Sequence, residues 1–172
     1  MVDILIVHDA HRPNALIEQL ARAVWSGLAD RPAVTGRLLH VNELTRRDLT
    51  RADALILGSP NWTGFSGNLK TRLDDLGDLW AEGVLTDKVG AAFTAGTSRH
   101  CGLEVTLLQI VHWLLAGGMI FVGLPWEEAM RTSGSYYGAT AAGMVEEADR
   151  VQAARLGRRV AELARRLSGQ RT

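Results

Sequence analysis

Trp62 lies in a loop rich in Gly, Ser and Asn that separates an apolar run from an amphipathic segment. The apolar run, residues 54–57, predicts a buried strand, and the leucines of residues 66–76 recur at the spacing of a helix face. A loop that feeds a helix in this way can offer backbone N–H groups to a ligand. The aromatic ring favours a flat, apolar, hydrogen-bonding ligand over a bare phosphate. We therefore interpret residues 60–67 as a segment that contacts the ring of a flavin.

The composition predicts one globular domain, residues 1–172, with 47% hydrophobic residues and no excess of charge. The 19 basic and 19 acidic residues cancel, which argues against nucleic acid as a partner and against an acidic face for docking a redox protein. Cys101 is the single cysteine, so no internal disulfide is possible. The chain has no run of about 18 apolar residues, so we expect no membrane span. Its first residues do not resemble a secretory signal, and we expect a cytoplasmic location.

Continuous apolar runs alternate with helical patterns along the chain, which predicts an α/β protein with a parallel sheet and helices on both faces. Pro13 is expected at the first position of the first helix. Residues 34–41 are more polar than the other strand candidates and are expected at the sheet edge. The helix at residues 103–115 is almost wholly apolar and is expected to be buried, either in the core alone or in a subunit interface as well. The predicted strands are residues 4–7, 34–41, 54–57, 89–94 and 119–124.

Four loops follow predicted strands and are longer or richer in Gly and Ser than simple connections require: residues 8–14, 59–67, 95–102 and 125–143. In open parallel sheets, ligands bind beyond the carboxyl ends of the strands. The sequence contains neither the G-x-G-x-x-G pattern of dinucleotide sites nor a P-loop. His100 and Cys101 alone are too few for a metal site, and no metal is predicted.

Three segments together resemble the flavodoxin-like FMN proteins, and most closely the tryptophan-repressor-binding-protein (WrbA-type) NAD(P)H:quinone oxidoreductases. The first is GSPNWTGFSGNLKTRLDDLGDLW, residues 58–80, and the second is VGAAFTAGTSRHCGLEVTLLQI, residues 89–110. The third joins GGMIFVGLP to GSYYGATAAG within residues 117–143. Any one segment alone would be weak support.

The resemblance implies a flavodoxin-like doubly wound five-stranded sheet of order 2-1-3-4-5 that binds FMN where the strand order reverses. It implies that the loop after strand three surrounds the flavin ring and that the loop after strand four lines its pyrimidine side. The residues so implied are Ser59, Pro60, Asn61, Trp62, Thr63, Gly64, Thr94, Ala95, Gly96, Thr97 and Ser98.

The first loop, residues 8–14, departs from the hydroxyl-rich phosphate loop of that family. Its phosphate contacts would come from helix amides, Asn14, and charge-assisted bonds from Arg12 or His11. With FMN bound, NAD(P)H would pass hydride to flavin N5 and a quinone would take its place in a ping-pong cycle. Arg99 and His100 are candidates to add positive charge near the ring.

The substrate side is expected to be formed by Trp126, Tyr136 and Tyr137. By analogy with the family, we expect a homodimer or homotetramer whose subunits shape the cleft together. Two alternatives stay open on the sequence: a flavodoxin-type electron carrier, and a flavodoxin-like protein that binds another ligand without flavin.

Overall fold

The computed structural model describes residues 1–29 and 31–168. They form a parallel sheet with helices on both faces, and the order of its main strands is β2-β1-β3-β4-β5, as the sequence predicted. The strands are β1 (Val2–His8), β2 (Val34–His40), β3 (Ala54–Pro60), β4 (Val89–Gly96), β5 (Ile120–Phe121) and β6 (Ala139–Ala142). The α-helices are α1 (Leu16–Ser26), α2 (Arg46–Arg51), α3 (Gly67–Asp74), α4 (Asp78–Ala81), α5 (Leu103–Ala116) and α6 (Glu147–Ser168), with short 3-10 turns at Val41–Glu43 and Glu128–Arg131.

Alternation of side chains along the central strands explains why the sheet is covered on both faces. In β1, Ile4 and Ile6 pack in a core formed with α1 and α6, whereas Leu5 and Val7 pack in a second core formed with α2, α3 and α5. The residues of β1, β3 and β4 are all buried. β2 is only partly buried and pairs with β1 alone, which is the edge position predicted for it.

The fifth position of the sheet is divided between two strands, which corrects the sequence analysis. Ile120 and Phe121 of β5 pair with Val89 and Gly90 at the start of β4. β6 pairs with the second half of β4, from Phe93 to Gly96. Residues 125–143, expected to be an irregular loop, therefore contain a strand that completes the edge which the short β5 leaves uncovered.

Two helix predictions also need correction. α1 begins at Leu16, not at Pro13, because Asn14 adopts a left-handed conformation with φ of 57° and interrupts the helical path before it. Asn tolerates this region better than most residues. α5 is not buried all round, because its outer face exposes Val105, Leu108 and Leu115.

Among residues 1–29 and 31–168, the helices lack the combination of length and hydropathy that a membrane span requires.

Candidate active site

Four strands end at one edge of the sheet, and the loops that follow them meet there. His8 pairs with Gly58, Pro60 with Ala95, and Gly96 with Ala142. The loops after β1, β3, β4 and β6 are residues 9–15, 61–66, 97–102 and 143–146. The first three correspond to loops predicted at this rim. The fourth does not, because the predicted loop, residues 125–143, contains β6 and shares only its last residue with the loop that follows that strand. We call residues 61–66 and 97–102 the two ring loops.

Several residues predicted to contact the cofactor are strand residues with buried side chains. The Ser59 hydroxyl donates to the Pro60 carbonyl oxygen at 2.8 Å and accepts from the Ser66 N–H at the same distance. The Thr94 hydroxyl donates to the Ser59 carbonyl oxygen at 2.7 Å. These buried hydroxyls thus stabilise the backbone at both ends of the loop that follows β3 and do not point towards a ligand. Pro60, Ala95 and Gly96 are likewise buried at the strand ends.

The first ring loop makes a tight turn that exposes Trp62. The Trp62 side chain is 60% exposed, and its N–H donates to the Gly64 carbonyl oxygen at 2.9 Å. Thr63 and Gly64 both have positive φ, 61° and 133°, and the second value is one that side-chain-bearing residues rarely adopt. The turn therefore depends on Gly64 and presents an aromatic face at the rim.

The second ring loop presents unpaired donors. The side chains of residues 97–100 are exposed. Within the described part of the chain the backbone N–H groups of Thr97, Arg99 and His100 have no backbone acceptor, whereas that of Ser98 is a partner of the Cys101 sulfur. Nor do the side chains of Arg99 and His100 form an ion pair or hydrogen bond with any described residue. A row of such donors suits a ligand with several acceptor atoms along one edge.

Asn61 joins the two ring loops. Its Nδ2 donates to the Cys101 carbonyl oxygen at 2.5 Å and lies 3.2 Å from the Cys101 sulfur. Its Oδ1 accepts from the Gly64 N–H at 3.3 Å and from the Thr106 hydroxyl at 3.0 Å. Gln109 of α5 adds a further contact, since its Oε1 accepts from the Phe65 N–H at 2.9 Å.

Cys101 is half-buried within this arrangement. Burial raises the pKa of its thiol, but hydrogen bonds involving Ser98 and Asn61 outweigh that effect and lower the pKa below its usual value.

The first loop exposes His11, Arg12 and Asn14, three residues predicted to hold a phosphate. The His11 ring meets the Trp62 ring edge-on, with 5.7 Å between ring centroids, so this loop touches the first ring loop. The backbone N–H groups of residues 10–12 have no acceptor among the described residues, which leaves them available to an anion.

Two carboxylates beside the first loop have partners of their own. Asp9 is buried and accepts from the Ser66 hydroxyl at 2.5 Å and from Asn68 Nδ2 at 2.9 Å. Glu18 accepts from the Asn14 N–H at 2.8 Å and pairs with Arg22 at 2.6 Å. Hydrogen bonding from Arg22 lowers the pKa of Glu18. Glu18 thus places a negative charge at the start of α1, where a phosphate would otherwise find amide donors.

His8 ends β1 beneath this loop. Its Nδ1 is buried with no hydrogen-bond partner among the residues described, and its ring meets the His40 ring edge-on at 5.5 Å between centroids. Burial, followed by the nearby His40, lowers the pKa of His8 below its ordinary value of 6.5. We therefore expect a neutral imidazole at physiological pH.

The residues predicted for the substrate side come from the segment between β5 and β6. Trp126 and Tyr136 are exposed, while Tyr137 packs against the core on the α5 face. Tyr136 and Tyr137 are separated only by Gly138 from β6, whose first residue, Ala139, pairs with Phe93 in the middle of β4. The structure therefore places both tyrosines below the rim and does not bring them together with the ring loops of the same chain.

Arg99 and His100 also line a cavity of about 490 Å³ beside the second ring loop. Its other walls come from the start of α5, the segment before β6, β6 itself and the start of α6, and they include Glu104, Arg131 and Asp149. Two of its carboxylates are engaged, since the hydroxyls of Ser135 and Ser133 donate to Glu104 and Asp149 respectively. The cavity adjoins the rim on its strand-five side.

The chain is related in sequence to flavin reductases. The profile of the family described as NADPH-dependent FMN reductase matches residues 39–126, about half of the chain, including β3, β4 and both ring loops. The chain belongs to the NADPH-dependent FMN reductase family.

Two relatives carry the name NAD(P)H dehydrogenase (quinone). One, from Archaeoglobus fulgidus, is 46% identical over 121 residues, which cover 70% of this chain and 63% of the relative. The other, from Solidesulfovibrio magneticus, is 38% identical over 143 residues, which cover 76% of this chain and 70% of the relative. The chain thus spans between about 60% and 70% of the length of these relatives.

Solved structures confirm the flavodoxin-like fold. A WrbA-like flavodoxin from Agrobacterium tumefaciens has a TM-score of 0.78 at 23% identity and covers 96% of this chain and 99% of its own. A flavodoxin from the domain Archaea has a TM-score of 0.75 at 18% identity, with coverage of 95% and 99%. Together with the family match, they confirm the resemblance that the three sequence segments carried.

The rim residues fit the FMN of this reductase family. The unpaired N–H groups of Thr97, Arg99 and His100 match the acceptor-rich edge of an isoalloxazine ring, and Trp62 offers it an apolar face. At the other end, the free amides of residues 10–12 and the Arg12 side chain suit a phosphate. Sequence reasoning missed the residues that support these loops, which are Asp9, Ser66, Asn68, Thr106 and Gln109. Among them, Ser66 alone carried a local signal, as a helix N-cap.

Proposed function

We propose that this chain is an FMN-dependent NAD(P)H:quinone oxidoreductase that uses one cleft for the electron donor and the acceptor in turn. The observation that supports it most directly is the pair of ring loops at the carboxyl edge of the sheet, one with an exposed tryptophan and one with a row of free amides. Membership of the reductase family and the names of the relatives support the same reaction.

The cofactor would be held at both ends of the rim. Asn61, Trp62, Thr63 and Gly64 would contact the ring from one side, and residues 97–98 from the other. His11, Arg12 and Asn14 would hold the phosphate together with the free amides of the first loop. Ser59, Pro60, Thr94, Ala95 and Gly96 would shape these loops from the strand ends.

When bound, FMN supplies two-electron chemistry between a nicotinamide donor and a quinone acceptor. The chain's own contribution is positioning and electrostatics. The amides of residues 97–100 and the Arg99 side chain present positive potential beside the ring, which stabilises negative charge that develops there. His100 is the second candidate for this role. The exposed side of Trp62 lines the space that donor and acceptor would share, so each must leave before the other enters.

Absorption and turnover measurements test this proposal. The purified chain should bind FMN, show flavin absorption, and oxidise NADH or NADPH with a small water-soluble quinone. A protein that binds FMN but does not turn over quinone would instead be a flavodoxin-type carrier. A protein that stays colourless with excess FMN would contradict both and favour a flavin-free binding role.

We also propose that residues 1–172 act as one domain that assembles into a homodimer or homotetramer in the cytoplasm. The outer face of α5 supports the assembly, because Val105, Leu108, His112 and Leu115 are all exposed along one side of the helix. Trp126, Tyr136 and Tyr137 would then wall the substrate side of a cleft completed by a second subunit. Light scattering of the wild type and of Leu108→Glu tests the assembly, and a monomeric wild type would contradict it.

A further inference from the structure

One side-chain amide makes contacts with three separate segments at the rim. Asn61 lies in the first ring loop, Cys101 in the second, and Thr106 in the first turns of α5. The amide nitrogen meets the acceptors of Cys101, and the amide oxygen meets the donors of Gly64 and Thr106. Each atom therefore faces partners of the opposite kind, which fixes the orientation of the amide.

Those contacts act on a part of the chain that regular structure does not hold. Residues 61–66 lie between β3 and α3, and their turn contains the positive φ angles of Thr63 and Gly64. Such conformations persist only when surrounding contacts hold them in place. Asn61 spans the turn through the Gly64 N–H, and Gln109 holds its far side through the Phe65 N–H.

We propose that Asn61 is a positioning residue that fixes the two ring loops relative to each other, with Gln109 as a second tie to α5, so that the slot for the flavin ring exists before the ring binds. This inference rests on the proposed function, because it assigns the slot to a flavin. A loop that is ordered before binding loses less conformational entropy when the ligand binds, so the affinity is higher. Removing the tie should therefore weaken binding of the ring whether or not a phosphate is attached.

Four variants separate the contacts. Asn61→Ala removes the contacts with Cys101, Gly64 and Thr106 and leaves the contact between Gln109 and Phe65 in place. Asn61→Asp keeps the acceptor for Gly64 and Thr106 but loses the donor to the Cys101 carbonyl oxygen and places a negative charge beside it. Gln109→Met removes only the tie to Phe65. Thr71→Ala is the control, because Thr71 is exposed on α3 and its side chain makes no hydrogen bond to a described residue.

Hydrogen exchange on the flavin-free chain measures directly whether the hydrogen bonds of Asn61 and Gln109 hold the first ring loop. In the wild type, the amides of Gly64 and Phe65 should be protected. Asn61→Ala should speed exchange at Gly64 by about fivefold, since a net hydrogen bond of about 1 kcal/mol corresponds to roughly that factor. Asn61→Asp should leave Gly64 protected, and Gln109→Met should release Phe65 alone.

The affinity and the midpoint potential of the bound flavin measure the effect of these hydrogen bonds on the cofactor site. Asn61→Ala should raise the Kd of FMN and of riboflavin alike, by about tenfold or more, and should shift the midpoint potential of the bound flavin towards that of free FMN. Asn61→Asp should fall between Asn61→Ala and the wild type. A role confined to folding would lower the Tm of the flavin-free chain and leave the potential unchanged.

Each failure has a distinct reading. Unchanged exchange at Gly64 in Asn61→Ala overturns the tie. Faster exchange with unchanged flavin affinity and potential overturns the positioning role. A wild-type chain that binds neither FMN nor riboflavin overturns the proposed function, and the ring-positioning role with it, while the exchange data still report the tie.

Discussion

The two ends of the rim are built in different ways. The ring loops are tied to each other and to α5 by the contacts of Asn61, Thr106 and Gln109. The first loop exposes residues 11–14, and the Asn14 N–H is taken up by a carboxylate of its own helix. With FMN bound as proposed, the ring end would recognise its ligand by a shape that is set in advance, whereas the phosphate end would depend on charge. Substitutions at the two ends should consequently separate FMN from riboflavin.

The largest effect is expected at Trp62. Trp62→Ala should raise the Kd of FMN and of riboflavin by the same factor, about tenfold or more, because stacking of two aromatic systems contributes about 0.5–1.5 kcal/mol beyond the area that it buries. Titration followed by flavin fluorescence measures both constants. Trp80→Ala is the control, since Trp80 is also exposed but packs against Trp113 in the second half of α5, away from the ring loops. A loss confined to FMN would place Trp62 at the phosphate end.

Arg12→Ala should affect one ligand only. We expect the Kd of FMN to rise about tenfold, in the range of a charge-assisted hydrogen bond at an accessible site, and that of riboflavin to stay the same. Arg47→Ala controls for the loss of one positive charge, because Arg47 is exposed on α2 away from the rim. Equal changes for both flavins, or none for either, would show that Arg12 does not contact the phosphate.

The ring end could be predicted further from sequence than the phosphate end. Residues 54–57 were predicted as a buried strand because they are all apolar, and β3 is indeed covered on both faces. Gly64 indicated the turn, because glycine favours turn conformations. Asn61 was assigned to the correct loop. Its contacts with Cys101 and Thr106, and the contact of Phe65 with Gln109, join residues 40 or more positions apart, and no local pattern encodes such contacts.

β6 was missed for a related reason. Residues 139–142, Ala-Thr-Ala-Ala, have little β-propensity of their own. They become a strand because β5 pairs with two residues of β4 and leaves the rest of that edge free. The start of α1 was misplaced because Pro13 is compatible with a first helical turn, whereas the left-handed conformation of Asn14 is stabilised by Glu18 four residues later.

Glu18→Gln should strengthen FMN binding, whereas Arg12→Ala should weaken it. Removing a negative charge at the start of α1 should lower the Kd of FMN by about two- to fivefold, the usual range for one charge at a helix terminus. The Kd of riboflavin should not change. Glu162→Gln on α6 is the control for net charge. Weaker binding of FMN by Glu18→Gln would show that the carboxylate supports the phosphate site by holding the loop, and that its charge does not compete.

The smallest effect is expected from His8, which lies beneath the charge-dependent end. Its pKa in the folded chain lies below its ordinary value of 6.5 because burial disfavours the imidazolium. The unfolded chain therefore binds more protons as the pH falls below about 6.5, and the free energy of unfolding should decrease there, by at most about 1.4 kcal/mol per pH unit for one proton. Denaturant unfolding of the flavin-free chain between pH 7 and pH 5 measures this slope.

His8→Phe should flatten this pH dependence, and His112→Gln should leave it unchanged because His8 stays in place. An unchanged pH dependence of the free energy of unfolding in His8→Phe would show that another group causes it, and would contradict a lowered pKa of His8.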